Sequence, residues 1–529
     1  MYDILIENGQ ILDGTGSPWF QGDMGLQDGK IAKIGTLKKE KAKERLNVQG
    51  LTVSPGFIDI HTHADALPFL SPREEGRILQ GITTDIIGNC GVSLAPVAKK
   101  TFQLLKKYTG PFCMEAPLPW DWQTVGDFLK RIEEKKSITN VGTFVGHGAI
   151  RIAVMGVDNR HPTGAELGKM KELVAQALDE GAVGLSSGLI YPPGVYSDTA
   201  EMIELCKVVA EKGGFYITHM RNEYDLVVEA VKETIEVAEK SGVPTIVAHH
   251  KTAGKKNWGR SRQTLTLIEG ARGRGIDIIC EAYPYTMSST FLHALLPPWV
   301  QEGGVEELLG RLRIPENRRR IKEEFTKGIP GWANLYDASG WDGIIISSCR
   351  KNKDWEGKTI QEIAAAEKTD PAEMVFDILL AEDGDVLMIL LGMAEEDVTN
   401  ILKHPLAMVG SDSLPGVGKP HPRFFGAFPR ILRKYVREDK ALSLQEAIRK
   451  MTSMPAQRLG FQDRGLIREG MCADITIFNP ATIEDKATVA NPRQNPVGIH
   501  YVLVNGQIVV RDGRFNGTLA GKVLRKVKN

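Results

Sequence analysis

The feature that most restricts the fold is an alternation in the middle of the chain. Eight short apolar runs, Phe57–Ile60, Thr84–Ile87, Val141–Val145, Val183–Ser186, Phe215–Thr218, Thr245–Ala248, Asp277–Glu281 and Leu406–Gly410, alternate with amphipathic helical stretches such as Ala165–Glu180, Thr199–Lys212, Leu226–Ser241 and Ser261–Arg274. Parallel strands need a crossover connection, and a helix both supplies the crossover and covers the sheet, so strand and helix in repetition predict a parallel α/β fold. Eight is the strand count of a closed (β/α)8 barrel. A doubly wound open sheet would alternate too, yet no glycine-rich phosphate loop follows the first run.

The two ends of the chain have a different texture. Ile4–Ile6, Gln10–Leu12, Asp23–Gln27 and Lys30–Ile34 read as short strands, with Asp28-Gly29 as a hairpin turn, and Ala473–Phe478, His500–Val504 and Gln507–Arg511 read the same way. Neither end is long enough to bury its apolar faces alone. One small β-sandwich built from both termini, 1–53 and 456–529, with the barrel of 54–455 between them, is the expected arrangement. Between runs seven and eight the chain takes about 120 residues, far more than a loop and a helix need. This insertion, 286–405, leaves from the C-terminal end of a barrel strand and is expected to form a lid or a pocket wall there.

Composition narrows the partners. The 529 residues are 42% hydrophobic and 25% charged, as in soluble globular proteins, and 66 Lys plus Arg balance 66 Asp plus Glu. No net field draws nucleic acid or an anionic membrane, so a small-molecule partner is expected. Six cysteines without regular spacing do not form a disulfide framework, and the chain opens on an alternating strand rather than a signal segment. The most apolar region, Met374–Met393, is broken by Asp377, Glu382, Asp383 and Asp385. A cytoplasmic location is therefore expected, and the oligomeric state is not legible.

The chemistry concentrates where the strands end. In VSPGFIDIHTHAD, His61 and His63 stand two apart, the spacing that puts side chains on one side of extended chain. Cys90, His219, His249 and Asp412 each follow a further apolar run, and active sites of parallel barrels lie at that face. Each residue alone has an ordinary reading: a buried free cysteine, a hydrogen-bonded core histidine, a carboxylate capping a turn. All six at strand ends together point to a metal site. Imidazole with thiolate suits Zn²⁺. Six donors exceed one tetrahedral shell, so either two metals share Cys90 or one tight position adjoins a weaker one. Asp412 has a second role open to it, that of a base and acid beside metal-activated water.

The segments GFIDIHTHAD, GNCGVSLAP, VGHGAIR, GLSSGLIYPPG, THMRNE, AHHKTAG, GSDSLPG and KPHPRFFGAFPRIL resemble the D-aminoacylases (N-acyl-D-amino-acid deacylases) of the amidohydrolase superfamily. Cys90, where a carboxylated lysine bridges the metals in much of that superfamily, is the mark of this subgroup. The resemblance implies a (β/α)8 barrel with a small β-sandwich and zinc-dependent hydrolysis of N-acyl-D-amino acids by metal-bound hydroxide. It further implies that Cys90, His219 and His249 hold the tight zinc, that His61, His63 and Asp412 border a second position, and that Asp412 is the general acid/base. His249 is preferred to His250 because the family motif is Ser-His-x-Lys and only His249 with Lys251 has that spacing; Ala248 departs from the usual serine. Similar positions imply that Lys251, Tyr283, Ser289 and Arg423 hold the substrate carboxylate. His147 in VGHGAIR has either a positioning or a structural part. The rival readings are a cyclic-amide hydrolase of the dihydropyrimidinase or dihydroorotase kind, which uses a strand-four lysine that AVGLSSGLI lacks, and a binding protein without activity, which would be expected to have lost ligands.

Overall fold

The computed structural model describes residues 1–70, 75–113 and 116–526. The eight apolar runs form eight parallel strands, Phe57–Asp59, Ile82–Ile87, Asn140–Gly146, Gly184–Gly188, Phe215–His219, Thr245–Val247, Ile278–Ala282 and Ala407–Val409, hydrogen-bonded in chain order. The ring closes just past the last strand. There the Asp412 amide donates to the His61 carbonyl at 2.8 Å, and the His63 amide donates to that of Ser413 at 2.9 Å. Closure therefore runs through the two segments that carry candidate ligands.

A buried guanidinium fastens this seam. Arg77 donates to Asp85 from strand two, to Asp59 at the end of strand one and to the Ser413 hydroxyl, while the Ser411 amide donates to Asp59 at 2.8 Å. Lower in the barrel, Ile58, Ile86, Phe144, Val183, Ile217, Ile246 and Met408 fill the interior. Ala456, Leu459, Phe461 and Leu524 pack in the same cluster, and the Leu524 amide donates a hydrogen bond of 2.7 Å to the Val141 carbonyl. So 456–461 and Leu524, expected in the small domain, also form the floor of the barrel. Their apolar side chains cover the end of the core at the N-terminal ends of the strands.

Helices Gly164–Asp179, Thr199–Glu211, Val227–Ser241 and Ser261–Gly273 occupy the crossovers, the first opened by a capping box on Thr163 and the second by the Asp198 cap. Strands from both termini make one nine-stranded sheet, joined where Thr52–Pro55 pairs antiparallel with Ile475–Phe478. Its core mixes the two ends: Ile4, Ile6 and Val53 pack with Ile475, Ile477 and Leu503. The strand Ala42–Asn47 is not legible in the sequence because charged residues interrupt it, and Thr52–Pro55 ends where Pro55 breaks the apolar run.

After strand seven the chain forms a three-stranded antiparallel sheet, Met287–Phe291, Leu387–Leu391 and Ile344–Ser348; helix Ile360–Glu367 packs on the last of these, and Pro371–Ala381 packs on that helix and on Pro315–Lys327. Trp332, Tyr336 and Trp341 pack on Phe325 within this unit. The last helix of the expected insertion, Glu395–Lys403, packs instead on helix Ser261–Gly273 and on strands seven and eight, as the barrel's own crossover.

Candidate metal centre

Each candidate ligand sits at or just beyond the C-terminal end of a barrel strand, and the backbone there is not relaxed. Cys90, His249 and Asp412 have φ of 51°, 31° and 47°. A non-glycine residue in this region costs on the order of 1 kcal/mol, so the fold holds these side chains in place against a local preference. The loop GNCG can sink onto the barrel because its neighbours are small: a Cβ on Gly188 would lie 2.2 Å from the Cys90 carbonyl oxygen, and one on Gly88 would lie 2.1 Å from that of Phe144.

The six side chains converge. Cys90 Sγ lies 3.3 Å from His61 Nε2 and 3.4 Å from His249 Nε2. Asp412 Oδ1 is 3.5 Å from Nε2 of both His61 and His63. His219 stands edge-on to His249 with ring centroids 4.3 Å apart, and its buried Nε2 lies 3.5 Å from Glu223 Oε2. Donor atoms of His61, Cys90, His249 and Asp412 lie within 4.8 Å of one another, as do those of His219, Glu223 and His249. Buried imidazoles, a thiol and a carboxylate converging at these distances form a donor set that suits a zinc ion. His250 turns away, its Nε2 2.8 Å from Thr264 Oγ1.

The charges are arranged around this point. Burial pushes the Cys90 thiol up, but the facing imidazoles of His61 and His249 overcome it and hold the group well below its ordinary value. Burial likewise opposes ionisation of Asp412, and the Arg423 guanidinium 2.8 Å from Oδ2, with the nearby imidazoles, keeps the carboxyl well below the usual carboxylate range. His63, lowered by burial, is raised to about 9 by Asp412 and Cys90. His249 is held low by burial and by Lys251.

Lys251, Tyr283, Ser289 and Arg423 gather on one side. The Arg423 guanidinium lies 4.8 Å, and Lys251 Nζ 5.5 Å, from the centroid of the Tyr283 ring. Arg423 Nη2 donates to the Ser289 carbonyl at 3.3 Å, and the Tyr283 hydroxyl is buried without a partner. Of these four, Lys251 and Ser289 line the cavity above, while Tyr283 and Arg423 do not; its other walls include Phe112 and Tyr191 from barrel loops, Phe291 from the first strand after strand seven, and Leu335 and Leu390 from further along that insertion.

Two carboxylates at the site escaped the sequence reading. Glu223 lies 2.7 Å from Lys251 Nζ and 2.9 Å from His249 Nδ1, and Glu281 lies 2.6 Å from His61 Nδ1. Both had a signal: Glu281 is the one charged residue in the Ile278–Ala282 strand, and Glu223 follows His219 by four. His147 contacts Glu201 at 2.7 Å, with Arg151 on the other carboxylate oxygen, and does not line the cavity.

The profile of the amidohydrolase family matches residues 46–510. The D-aminoacylase of Alcaligenes xylosoxydans xylosoxydans is 35% identical over 99% of this chain and 98% of its own length. A solved D-aminoacylase structure with a binuclear metal centre superposes with a TM-score of 0.84 at 34% identity, covering 99% of this chain and all of the other. The N-acyl-D-glutamate deacylase of Bordetella bronchiseptica, solved with zinc and a phosphonate inhibitor, gives 0.82 at 36% identity over 99% of both chains. The fold and site thus define a metal-dependent amidohydrolase. Within that class the chain belongs to the D-aminoacylase (N-acyl-D-amino-acid deacylase) family.

Proposed function

We propose that this protein hydrolyses the amide bond of N-acyl-D-amino acids, releasing a carboxylate and a D-amino acid, with zinc as its metal. The observation that carries the reading is Cys90 Sγ standing between His61 and His249 at 3.3 and 3.4 Å, with Asp412 beside them. Cys90, His219 and His249 are the residues for a tight zinc position, and His61, His63 and Asp412 border a weaker one. When bound, zinc supplies Lewis-acid polarisation of the scissile carbonyl and acidifies the attacking water.

The chain's own residues do the rest. Asp412, ionised in the resting site, accepts the proton that the water gives up and returns it to the departing amine. Arg423 and Lys251 take the substrate carboxylate, the guanidinium through two parallel hydrogen bonds, with the Tyr283 hydroxyl and Ser289 completing the seat. Because Arg423 is also the partner of Asp412, a substrate carboxylate that draws part of its charge relaxes its hold on Asp412 and favours the protonated form at the moment a proton must be delivered. Phe112, Tyr191, Phe291, Leu335 and Leu390 exclude water from the reacting amide, so the segment after strand seven serves as a wall of the pocket. All six cysteines are free and five are buried, which supports a reducing, cytoplasmic setting. Among the described residues no helix is long and apolar enough to cross a membrane.

The test is metal content together with turnover on paired N-acetyl-D- and N-acetyl-L-amino acids, with dihydroorotate and a hydantoin as controls. Turnover of the D series alone, lost with chelation and regained with zinc, is the expected result. Preference for either cyclic amide would replace the proposal with the rival activity.

A further inference from the structure

Glu281 is a fully buried carboxylate that the chemistry above does not use. It sits near the end of strand seven, where the neighbouring strand positions are apolar. A carboxylate in such a place is stable only if charge and protons are brought to it. Oε1 receives both of the contacts found: His61 Nδ1 lies 2.6 Å away, and the backbone amide of His249 donates to the same oxygen. Oε2 is buried without a hydrogen-bond partner among the described residues. One oxygen thus joins a candidate ligand from strand one to the backbone of another from strand six.

The contact fixes the chemistry of the His61 ring. A proton on Nδ1, between ring and carboxylate at that distance, leaves Nε2, which faces Cys90 Sγ at 3.3 Å, as the nitrogen whose lone pair a metal would take. The negative charge behind the ring also raises the basicity of that lone pair. The surrounding chain keeps room for this arrangement. A Cβ on Gly410 would lie 2.5 Å from Glu281 Oε2 and 3.0 Å from His61 Cβ, so glycine there lets the carboxylate and the imidazole lie side by side.

We propose that Glu281 is a positioning residue that sets the tautomer and basicity of His61, and through them the affinity of the metal position that His61 serves. It rests on the reading of the site as a metal centre. Removing such an outer partner of a metal-binding histidine weakens affinity by about 10- to 100-fold.

The experiment is titration of the metal-free full-length protein with Co²⁺, followed by calorimetry and by the visible absorption of the bound ion, in wild type, His61→Ala, Glu281→Gln and Gly410→Ala. His61→Ala marks the binding step that depends on that ring. Glu281→Gln leaves a carbonyl that can still accept from Nδ1 and removes the charge; Gly410→Ala keeps the charge and crowds the contact. Both are expected to weaken the His61-dependent step by about 10-fold or more and to shift its absorption. Thermal unfolding of each metal-free variant reads packing separately. If both variants keep that step within about twofold of wild type, whatever their unfolding temperature, the proposal is overturned. If His61→Ala moves no step, His61 is not a ligand and the proposal falls with that assignment. Absence of metal uptake by wild type would instead remove the metal-centre reading on which it rests.

Discussion

Replacing Arg423 by alanine probes the site at its most connected point. The guanidinium is fully buried, lies 2.8 Å from Asp412 Oδ2, donates to the Ser289 carbonyl and stacks on Tyr283. At 2.8 Å and an effective dielectric of about 20, its attraction to Asp412 is about 6 kcal/mol before desolvation. Removing one partner of a buried pair has a net cost of about 3–5 kcal/mol. On the reading above, a substrate acid loses its own partner as well, at about 2–5 kcal/mol, or roughly 30-fold and upward in kcat/KM. The assay compares N-acetyl-D-amino acids with their C-terminal carboxamides across pH. For the acids kcat/KM should fall by about 30-fold or more beyond whatever loss the amides show, since the amides carry no charge for Arg423 to read. The acid limb of the pH profile should move to higher pH in both series. Burial raises the Asp412 carboxyl and Arg423 is the first charge to oppose it, so without Arg423 the base form is lost earlier as pH falls. The linked contribution to stability, present above about pH 4 and lost as pH falls through the folded value, should shrink accordingly. Arg423→Lys should restore much of the pH profile while leaving the acids impaired, because an ammonium lacks the two-pronged fork. Equal losses on acids and amides with an unmoved acid limb would refute both roles.

Three further outcomes are expected. Cys90→Ala should lose tight zinc, read as less than one zinc per chain by elemental analysis after dialysis, along with turnover; a full complement of zinc would show that Cys90 is a bystander. Asp412→Asn should keep that zinc yet lose about 10²–10⁴ in kcat, the usual worth of a placed acid/base, and near-normal kcat would reduce Asp412 to a structural part. Arg77→Met leaves Asp59 and Asp85 buried without their cation and should destabilise the protein by about 3–5 kcal/mol, seen as a lower urea midpoint. An unchanged midpoint would mean the closure seam holds through its backbone bonds alone.

Much of the fold was legible because periodicity is a local property. A buried parallel strand must be apolar on both faces and its crossover helix on one, so the eight runs and their helices could be counted without knowing where any of them lay in space. The candidate ligands were legible for a related reason: His, Cys and Asp in apolar strand-end contexts stand out one by one. What only the tertiary structure decided is which groups share a volume. Arg423 and Asp412 are eleven residues apart and look like two separate groups, yet folding makes them one ion pair, which on the proposed mechanism would tie substrate recognition to proton transfer. Glu281 read as the end of a strand, and only ring closure, which sets strand one beside strand eight and near strand seven, puts its carboxylate against His61. Leu524, far along the chain in a segment that reads as part of a small β-domain, caps the barrel floor because an exposed apolar core end must be covered by whatever chain the topology brings there. Electrostatics and desolvation depend on distances of a few ångströms between residues remote in sequence, and those distances exist only once the barrel has closed.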